Sequence, residues 1–376
     1  CPHGGQPRSR NSPPCWKMPL WKARARGATT PRALQFRGYE ELDDTPHVMV
    51  DGSARSTSVA TFSHWPSSPT PTWLARDLSA EIVLAYLRAV AGELPVPRGA
   101  GAGLSSLVAS VEVAEAVTND HFDEDGVMSV FAMVEPLAAL AHAGLLVEAA
   151  SCGDFGVVHD DEGAKVAFSL EPLAAAEGAE GTSDSYAAVL PVLPELLEHA
   201  ERFARFWGDD FAALEEGRAA LGDGRVQLDD SGTAGADLCV VRRNPVSGAR
   251  LLGAEGGRPI SEVAINSATP ASRILCFDGD RCELTLRYEG WVRYISRPIP
   301  KRPDLVPLAE RLSAMEPAGI EWEAELVGTI IGHMAPAGEA RTEIPPAEVV
   351  AVVAEYLETA PAAWDPFRPG GSYVPH

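Results

Sequence analysis

Lysine, aromatic residues and long apolar runs are all scarce in this 376-residue chain, and each shortage closes off a class of explanation. Only four of its 31 basic residues are lysines, a bias attributable to GC-rich coding before any chemistry, and aromatics make up 7%. No stretch approaches the roughly 18 uninterrupted apolar residues of a membrane helix, and the start lacks a basic-then-apolar signal pattern. A cytoplasmic protein with no membrane partner is therefore expected. The six cysteines (Cys1, Cys15, Cys152, Cys239, Cys276, Cys282) include no Cys-x-x-Cys pair, which argues against a zinc ribbon or a disulfide framework. Cys276 and Cys282 flank Asp278-Gly279-Asp280 and read as small buried apolar residues. There is no Gly-x-Ser-x-Gly elbow and no Walker-type Gly-Lys-Ser/Thr loop, which lowers serine-hydrolase and P-loop readings. Gly99-Ala100-Gly101-Ala102-Gly103 lacks the final spacing of a dinucleotide fingerprint and reads as a linker.

The composition that remains is that of a globular protein, 45% hydrophobic and 22% charged. The length suits two packed domains or one large domain with additions. Charge is unevenly placed: eight of the 31 basic residues and no acid lie in residues 1–37, which leaves 23 basic against 53 acidic groups, net −30, for the remainder. Such a body repels phosphate backbones, so nucleic acid is not expected as a partner beyond a contact by the tail.

Residues 1–36, rich in Pro, Arg, Gly and Ser, read as a disordered basic extension. Pro46–Gly52 and Ser58–Ser63 read as short strands, Asp77–Val90 as a helix, 93–106 as a loop and Val111–Thr118 as a strand. Helices are expected at Val127–Val134 and Pro136–Ala143, and a further strand at Leu145–Ala150. Strands alternating with helices predict an α/β fold, a parallel or mixed sheet with helices on both faces, over residues 37–222. Residues 184–217 read as one long helix or a pair broken near Pro191 and Pro194. A smaller strand-rich α+β region is expected over 223–360, with strands at Asp237–Arg242, Ile274–Phe277, Arg281–Tyr288, Trp291–Ser296 and Trp322–Val327. Helices are expected there at Asp304–Met315 and Pro346–Thr359, and residues 361–376 read as a tail.

The informative segment is Asn119-Asp120-His121-Phe122-Asp123-Glu124-Asp125-Gly126, where an apolar strand runs into a turn and an apolar helix leaves it. Alternation puts His121, Asp123 and Asp125 on one side, and Gly126 permits a sharp turn. One imidazole with two carboxylates suits Mn²⁺, Fe²⁺ or Zn²⁺ better than Ca²⁺. An EF-hand alignment puts Ala132 where a bidentate Glu is required, so that reading fails. The competing readings are structural: Asp125 as a cap for the helix at Val127, and Asp123 and Glu124 as solvated turn acids. Four expected strand ends carry Asp51, His64, His121 with Asp123, and Asp154. If those ends are adjacent they form a cluster for one or two divalent metals that activates a water. Taken singly, Asp51-Gly52 also fits a β-turn, His64 a ring stacked on Trp65, and Asp154 an Asx-turn acid.

His121-Phe122-Asp123-Glu124-Asp125-Gly126 resembles the first motif of the DHH phosphoesterase superfamily, whose strand ends in His-x-Asp-x-Asp-Gly. The resemblance implies His121, Asp123 and Asp125 as Mn²⁺ ligands, and Asp154 as the counterpart of a second-motif Asp. No Asp-His-His follows downstream, and the match covers only some 35 residues. A wider similarity, carried by Val50-Asp51-Gly52, Ser63-His64-Trp65-Pro66, Gly153-Asp154-Phe155-Gly156, Arg287-Tyr288-Glu289 and Arg302-Pro303-Asp304-Leu305, is to an uncharacterised bacterial family of unknown function, common in actinobacteria.

Arg287, Arg293, Arg297, Lys301 and Arg302 gather around Trp291 and Tyr294. They fit either contacts to an anionic substrate or pairing with the acidic surplus. The resulting expectation is a metal-dependent hydrolase of a small phosphoester or similar anion. Its metal ligands are His121, Asp123, Asp125, Asp154, Asp51 and His64, with Asp123 and Asp125 carrying the catalysis. Arg287, Arg293 and Arg297 supply the substrate contacts, and Mn²⁺ is the favoured cofactor. The alternative is a non-catalytic binding or scaffold protein.

Overall fold

The structure, a computed structural model, describes residues 30–230, 233–244, 260–317, 319–338, 340–368 and 373. The expectations for residues 1–29, including Cys1, Cys15 and most of the basic extension, lie outside these. The first sheet is made of β1 (Gln35–Phe36), β2 (His47–Val50), β3 (Ser58–Phe62) and β4 (Ala116–Thr118), in the order β1-β4-β2-β3 with every pair parallel. Because β2 and β3 are only four and five residues long, the short loop between them suffices for the return without a crossover helix. β2 is buried at all four positions, as a parallel strand covered on both faces should be.

Nine helices follow or interleave with these strands: α1 (Ser79–Val90), α2 (Gly101–Val113), α3 (Glu124–Val134), α4 (Pro136–Ala141), α5 (Ala143–Asp154), α6 (Asp161–Ala176), α7 (Thr182–Val189), α8 (Leu193–Glu198) and α9 (Ala204–Gly222). They share one core with the sheet, centred on fully buried Phe62, Leu87, Met128, Phe131, Leu146 and Leu170.

The second sheet is the larger one. It comprises β5 (Val226–Asp229), β6 (Leu238–Arg243), β7 (Arg273–Asp278), β8 (Arg281–Leu286), β9 (Trp322–Ala324) and β10 (Gly332–Pro336), ordered β5-β6-β7-β8-β10-β9. Only β6 and β7 run parallel. Alternation sorts its side chains cleanly. Val240, Leu275, Phe277 and Leu284 face α11 (Val306–Met315) and α12 (Pro346–Thr359), whereas Cys239, Val241 and Ile274 face the side of α9 and α10 (Glu262–Ala268). The protein is thus α/β, and among the described residues no helix is long and apolar enough to cross a membrane. Cys276 and Cys282 are free and belong to opposite faces of this sheet.

Several expected elements differ. Leu145–Ala150 is helical, inside α5, because a short apolar run fits either structure and the flanking alanines favour a helix. Chain read as a loop over 93–106 enters α2 at Gly101, and the expected strand from Val111 begins only at Ala116. Leu104, Leu107, Val108 and Val111 carry the helical spacing that the glycines obscured. Trp291–Ser296 is not a strand: a 3-10 turn at Tyr288–Gly290 leads into a segment whose Tyr288, Trp291 and Val292 enter the first core. The ordered chain also starts before residue 37, since Leu34 is buried and β1 pairs with β4. Trp364, read as tail, is buried and stacks on Trp291.

Candidate metal centre

Three neighbouring strands of the first sheet deliver their C-terminal ends to one place, the position where parallel α/β sheets gather ligands. β2 ends at Asp51, which holds a left-handed φ of 46° while only 1% exposed. Aspartate tolerates that region better than most residues, yet a buried one there signals a position fixed by its surroundings. β3 leads to His64 and β4 to Asn119, Asp120 and His121. Asp154 arrives from the last turn of a helix, α5, and not from a strand.

Asp123 is the N-cap of α3, its Oδ1 accepting from the Gly126 N–H at 2.8 Å. Asp125 caps a different helix from the one expected. α1 has no capping side chain of its own, and the Ser79 and Ala80 N–H groups donate to Asp125 Oδ2 and Oδ1, both at 2.7 Å. Gly126 permits the close packing of this turn: a Cβ there would sit 2.1 Å from Asn119 Nδ2 and 2.6 Å from the Tyr186 hydroxyl.

His64 organises the interior. Its Nδ1 faces the Asp77 backbone carbonyl, which can only accept, so Nδ1 carries the proton and Nε2 presents a lone pair. That lone pair faces Asp51 Oδ1 at 3.4 Å, Asp154 Oδ2 at 3.4 Å and Asp125 Oδ2 at 3.8 Å. The Tyr288 hydroxyl, 3.2 Å away, donates to it. The Ser79 hydroxyl donates to Asp51 Oδ1 at 2.6 Å. Among the described residues, Asp154 Oδ2 accepts no hydrogen bond, and no Lys or Arg pairs with any of these carboxylates.

A second group shares Asp51. His121 Nε2 lies 2.8 Å from Asp123 Oδ2 and 3.3 Å from Asp51 Oδ2, and its Nδ1 lies 2.8 Å from Asp120 Oδ1. Asp51-His64-Asp125 and Asp51-His121-Asp123 therefore each bring three donor atoms within 4.8 Å of one another, the first buried and the second partly open to solvent. Trp65 stacks on His121, ring centres 5.1 Å apart, and not on His64.

The electrostatics follow from burial. It pushes the Asp125 and Asp154 carboxyls well above their ordinary 3.8, with Asp51 adding to the first and Asp125 to the second. Burial and Asp51 raise Asp123 as well. Asp51 moves the other way: burial opposes its charge, but the His121 and His64 imidazoles and the Ser79 hydroxyl hold it below the ordinary value. Burial lowers His64, keeping it neutral, whereas His121, against burial, is raised by Asp120, Asp123 and Asp51. Glu124 is pushed up to about 8 by burial and Asp123.

The fold thus brings together Asp51, His64, His121, Asp123, Asp125 and Asp154. It does not bring the arginines with them. Arg287, 3% exposed, donates to the carbonyls of Asn266, Thr269, Ala271 and Phe155 and pairs with Glu289 at 2.9 Å. Arg293 donates to the Ser68 carbonyl at 2.8 Å, and Arg297, part-exposed, lies 3.8 Å from Glu289. Ser79 and Tyr288 are additions to the expected site. Ser79 shows in the sequence only as a small polar residue at the start of a helix, and Tyr288 lies 224 residues from its partner, with no local signal to join them.

The chain belongs to DUF6687, a family of unknown function matched over residues 32–368. No curated protein and no solved structure matches it.

Proposed function

Family membership assigns no reaction, so the reading rests on the site, and we propose a metal-dependent hydrolase of a small phosphoester or related anion. The observation that carries it is the convergence of three buried carboxylates on His64 Nε2, with Asp154 Oδ2 accepting no hydrogen bond and no Lys or Arg beside them among the described residues; the Tyr288 hydroxyl at His64 and the His121 imidazole at Asp51 are the donors that reach the cluster from the side. Acceptors turned toward acceptors in a low-dielectric interior require a proton or a cation between them. Nitrogen with carboxylate oxygens is the donor set of a borderline transition metal, and Mn²⁺ is the first ion to test because the His-x-Asp-x-Asp-Gly stretch resembles the DHH motif.

In this reading Asp51, His64, Asp125 and Asp154 hold the inner position. Asp51 also faces His121 and Asp123 at an outer one. A bound divalent cation supplies Lewis acidity and lowers the pKa of a coordinated water. Asp77 fixes the His64 tautomer through its carbonyl, and Ser79 orients Asp51. Asp123 and His121, about a third exposed, are the groups able to exchange protons with solvent. Residues 37–222 carry the centre and residues 223–360 close it through Tyr288, and a cytoplasmic setting is part of the same proposal. The test is hydrolysis of a panel of small phosphoesters by Mn²⁺-loaded protein and its His64→Ala variant, read as phosphate release from monoesters and as release of the alcohol from diesters. Activity in the first alone supports the reading; inactivity of a fully loaded protein across the panel overturns it.

The scaffold reading draws on one observation. Both Asp125 oxygens are engaged by α1, and Asp123 caps α3. Under it these residues hold elements together, and metal loading leaves stability unchanged.

A further inference from the structure

A cleft of about 260 Å³ opens between the C-terminal end of α5, α10 and the end of β8, lined by Asp154, Phe155, Asn266, Thr285, Arg287 and Tyr288 among others. Its inner wall is the outer wall of the candidate metal centre, because Asp154 and Tyr288 are also the groups 3.4 and 3.2 Å from His64 Nε2. Three polar atoms on residues of this lining have no hydrogen-bond partner among the described residues: Asp154 Oδ2, which faces His64 at 3.4 Å, and Asn266 Oδ1 and Arg287 Nε, on residues 7% and 3% exposed. The last two belong to adjacent groups, since Arg287 Nη1 donates to the Asn266 backbone carbonyl at 3.4 Å. Gly156, at φ 59°, lets the backbone approach the Asn266 amide; a Cβ there would lie 2.9 Å from Nδ2.

The cleft offers no uncommitted positive charge. The terminal nitrogens of Arg287 are taken by four carbonyls and by Glu289. The other charged side chains of the lining are Asp154 and Glu262, and Phe155, Val263 and Ile331 supply apolar wall. An anion is disfavoured there, whereas a neutral group that donates one hydrogen bond and accepts another satisfies both Asn266 Oδ1 and Arg287 Nε. The volume lies just below the roughly 300–1,000 Å³ of small-molecule sites, which suits one ring or a short chain.

We propose that this cleft binds a small neutral group with an amide-like edge, hydrogen-bonded to Asn266 Oδ1 and Arg287 Nε, as the leaving-group half of the ester cleaved at the adjoining centre. The assignment to a leaving group rests on the hydrolase reading; the binding does not. In the reaction, the water oxygen bonds to phosphorus, the phosphorus–oxygen bond to the leaving group breaks, and a water proton ends on the released hydroxyl.

The test is calorimetric titration of the full chain, with and without Mn²⁺, using uracil and nicotinamide as neutral probes and inorganic phosphate as the anionic one. The variants are Asn266→Ala and, at the exposed rim where folding is not at stake, Ile331→Trp. The expected result is saturable binding of a neutral probe with or without Mn²⁺, weakened about tenfold or more in both variants, with Mn²⁺ uptake unchanged. Absence of binding by both neutral probes, or equal binding by wild type and both variants, overturns the proposal. Neutral-probe binding in a protein that takes up no Mn²⁺ sustains the cleft and removes the hydrolase reading. Mn²⁺ uptake without probe binding does the reverse.

Discussion

Two regions of this molecule bury charge, and they do so in opposite ways. In the second half, Arg273, Arg287 and Arg302 are each 3% exposed, and their terminal nitrogens lie against backbone carbonyls of several segments. Arg302, for instance, donates to Thr329, Ile330 and Leu286, and so ties β8 to the loop before β10. Beyond the ends of β2, β3 and β4, by contrast, Asp51, Asp125 and Asp154 all turn toward one imidazole nitrogen, His64 Nε2. In the first arrangement the terminal nitrogens all have partners, with the Nε of Arg287 and of Arg302 left over among the described residues, and it reads as architecture. The second becomes favourable only when a proton or cation is added, and that difference separates a clamp from a binding site.

Breaking a clamp should have the largest effect on stability. Arg287→Ala removes the partner of buried Glu289 and frees four carbonyls, so a loss of about 3–5 kcal/mol is expected in denaturant unfolding, with or without Mn²⁺. A loss recovered by Mn²⁺ would contradict the distinction drawn here. At the metal centre the sign should invert. Asp154→Asn removes a carboxyl whose charge burial disfavours and whose Oδ2 accepts no hydrogen bond among the described residues, so the metal-free variant should match or exceed wild type, within about 1 kcal/mol. Added Mn²⁺ at a hundred times its dissociation constant should stabilise wild type by about 2.7 kcal/mol and leave the variant unmoved.

How far the sequence foretold each region differs for a physical reason. The turn from His121 to Gly126 and the strand ends at Asp51 and His64 are local patterns, and alternation and turn residues expose them. Asp154 was placed in the cluster on the wrong element, because Leu145–Ala150 is equally apolar as a strand or a helix. The arginines were legible as a patch but not as clamps, since Arg287 meets Phe155 across 132 residues and no short-range pattern encodes that pairing. Tyr288 and Asn266 escaped for the same reason.

Smaller effects sharpen the comparison. The folded-state values of Asp125, Asp154 and Asp123 lie above the ordinary 3.8 and that of His121 above 6.5. The unfolded chain therefore releases these protons first, and the metal-free protein should lose stability as pH rises from about 4 upward. Asp51, His64 and His47 oppose this, their folded values being lowered, but the Asp51 contribution lies below about pH 4 and those of the imidazoles are complete a little above 6.5, so the loss is read above that. Metal binding must displace the same protons, so Mn²⁺ affinity should increase over that range, and thermal midpoints of both forms against pH should diverge. A metal-free midpoint that rises from about pH 7.5 to 9, above the range in which the lowered His64 and His47 add stability, would contradict this assignment. Ser79→Ala, which removes the hydroxyl orienting Asp51, should weaken Mn²⁺ about 10- to 100-fold in titration, with little change in the metal-free protein.

The most direct measurement is metal content by mass spectrometry on protein purified without an affinity tag, incubated with Mn²⁺ and desalted, for wild type and Asp51→Asn. The account predicts near-stoichiometric metal in the wild type and none in the variant. A folded wild type that stays empty after Mn²⁺, Fe²⁺ and Zn²⁺ would contradict it, and would leave the convergence of carboxylates as a protonated structural network.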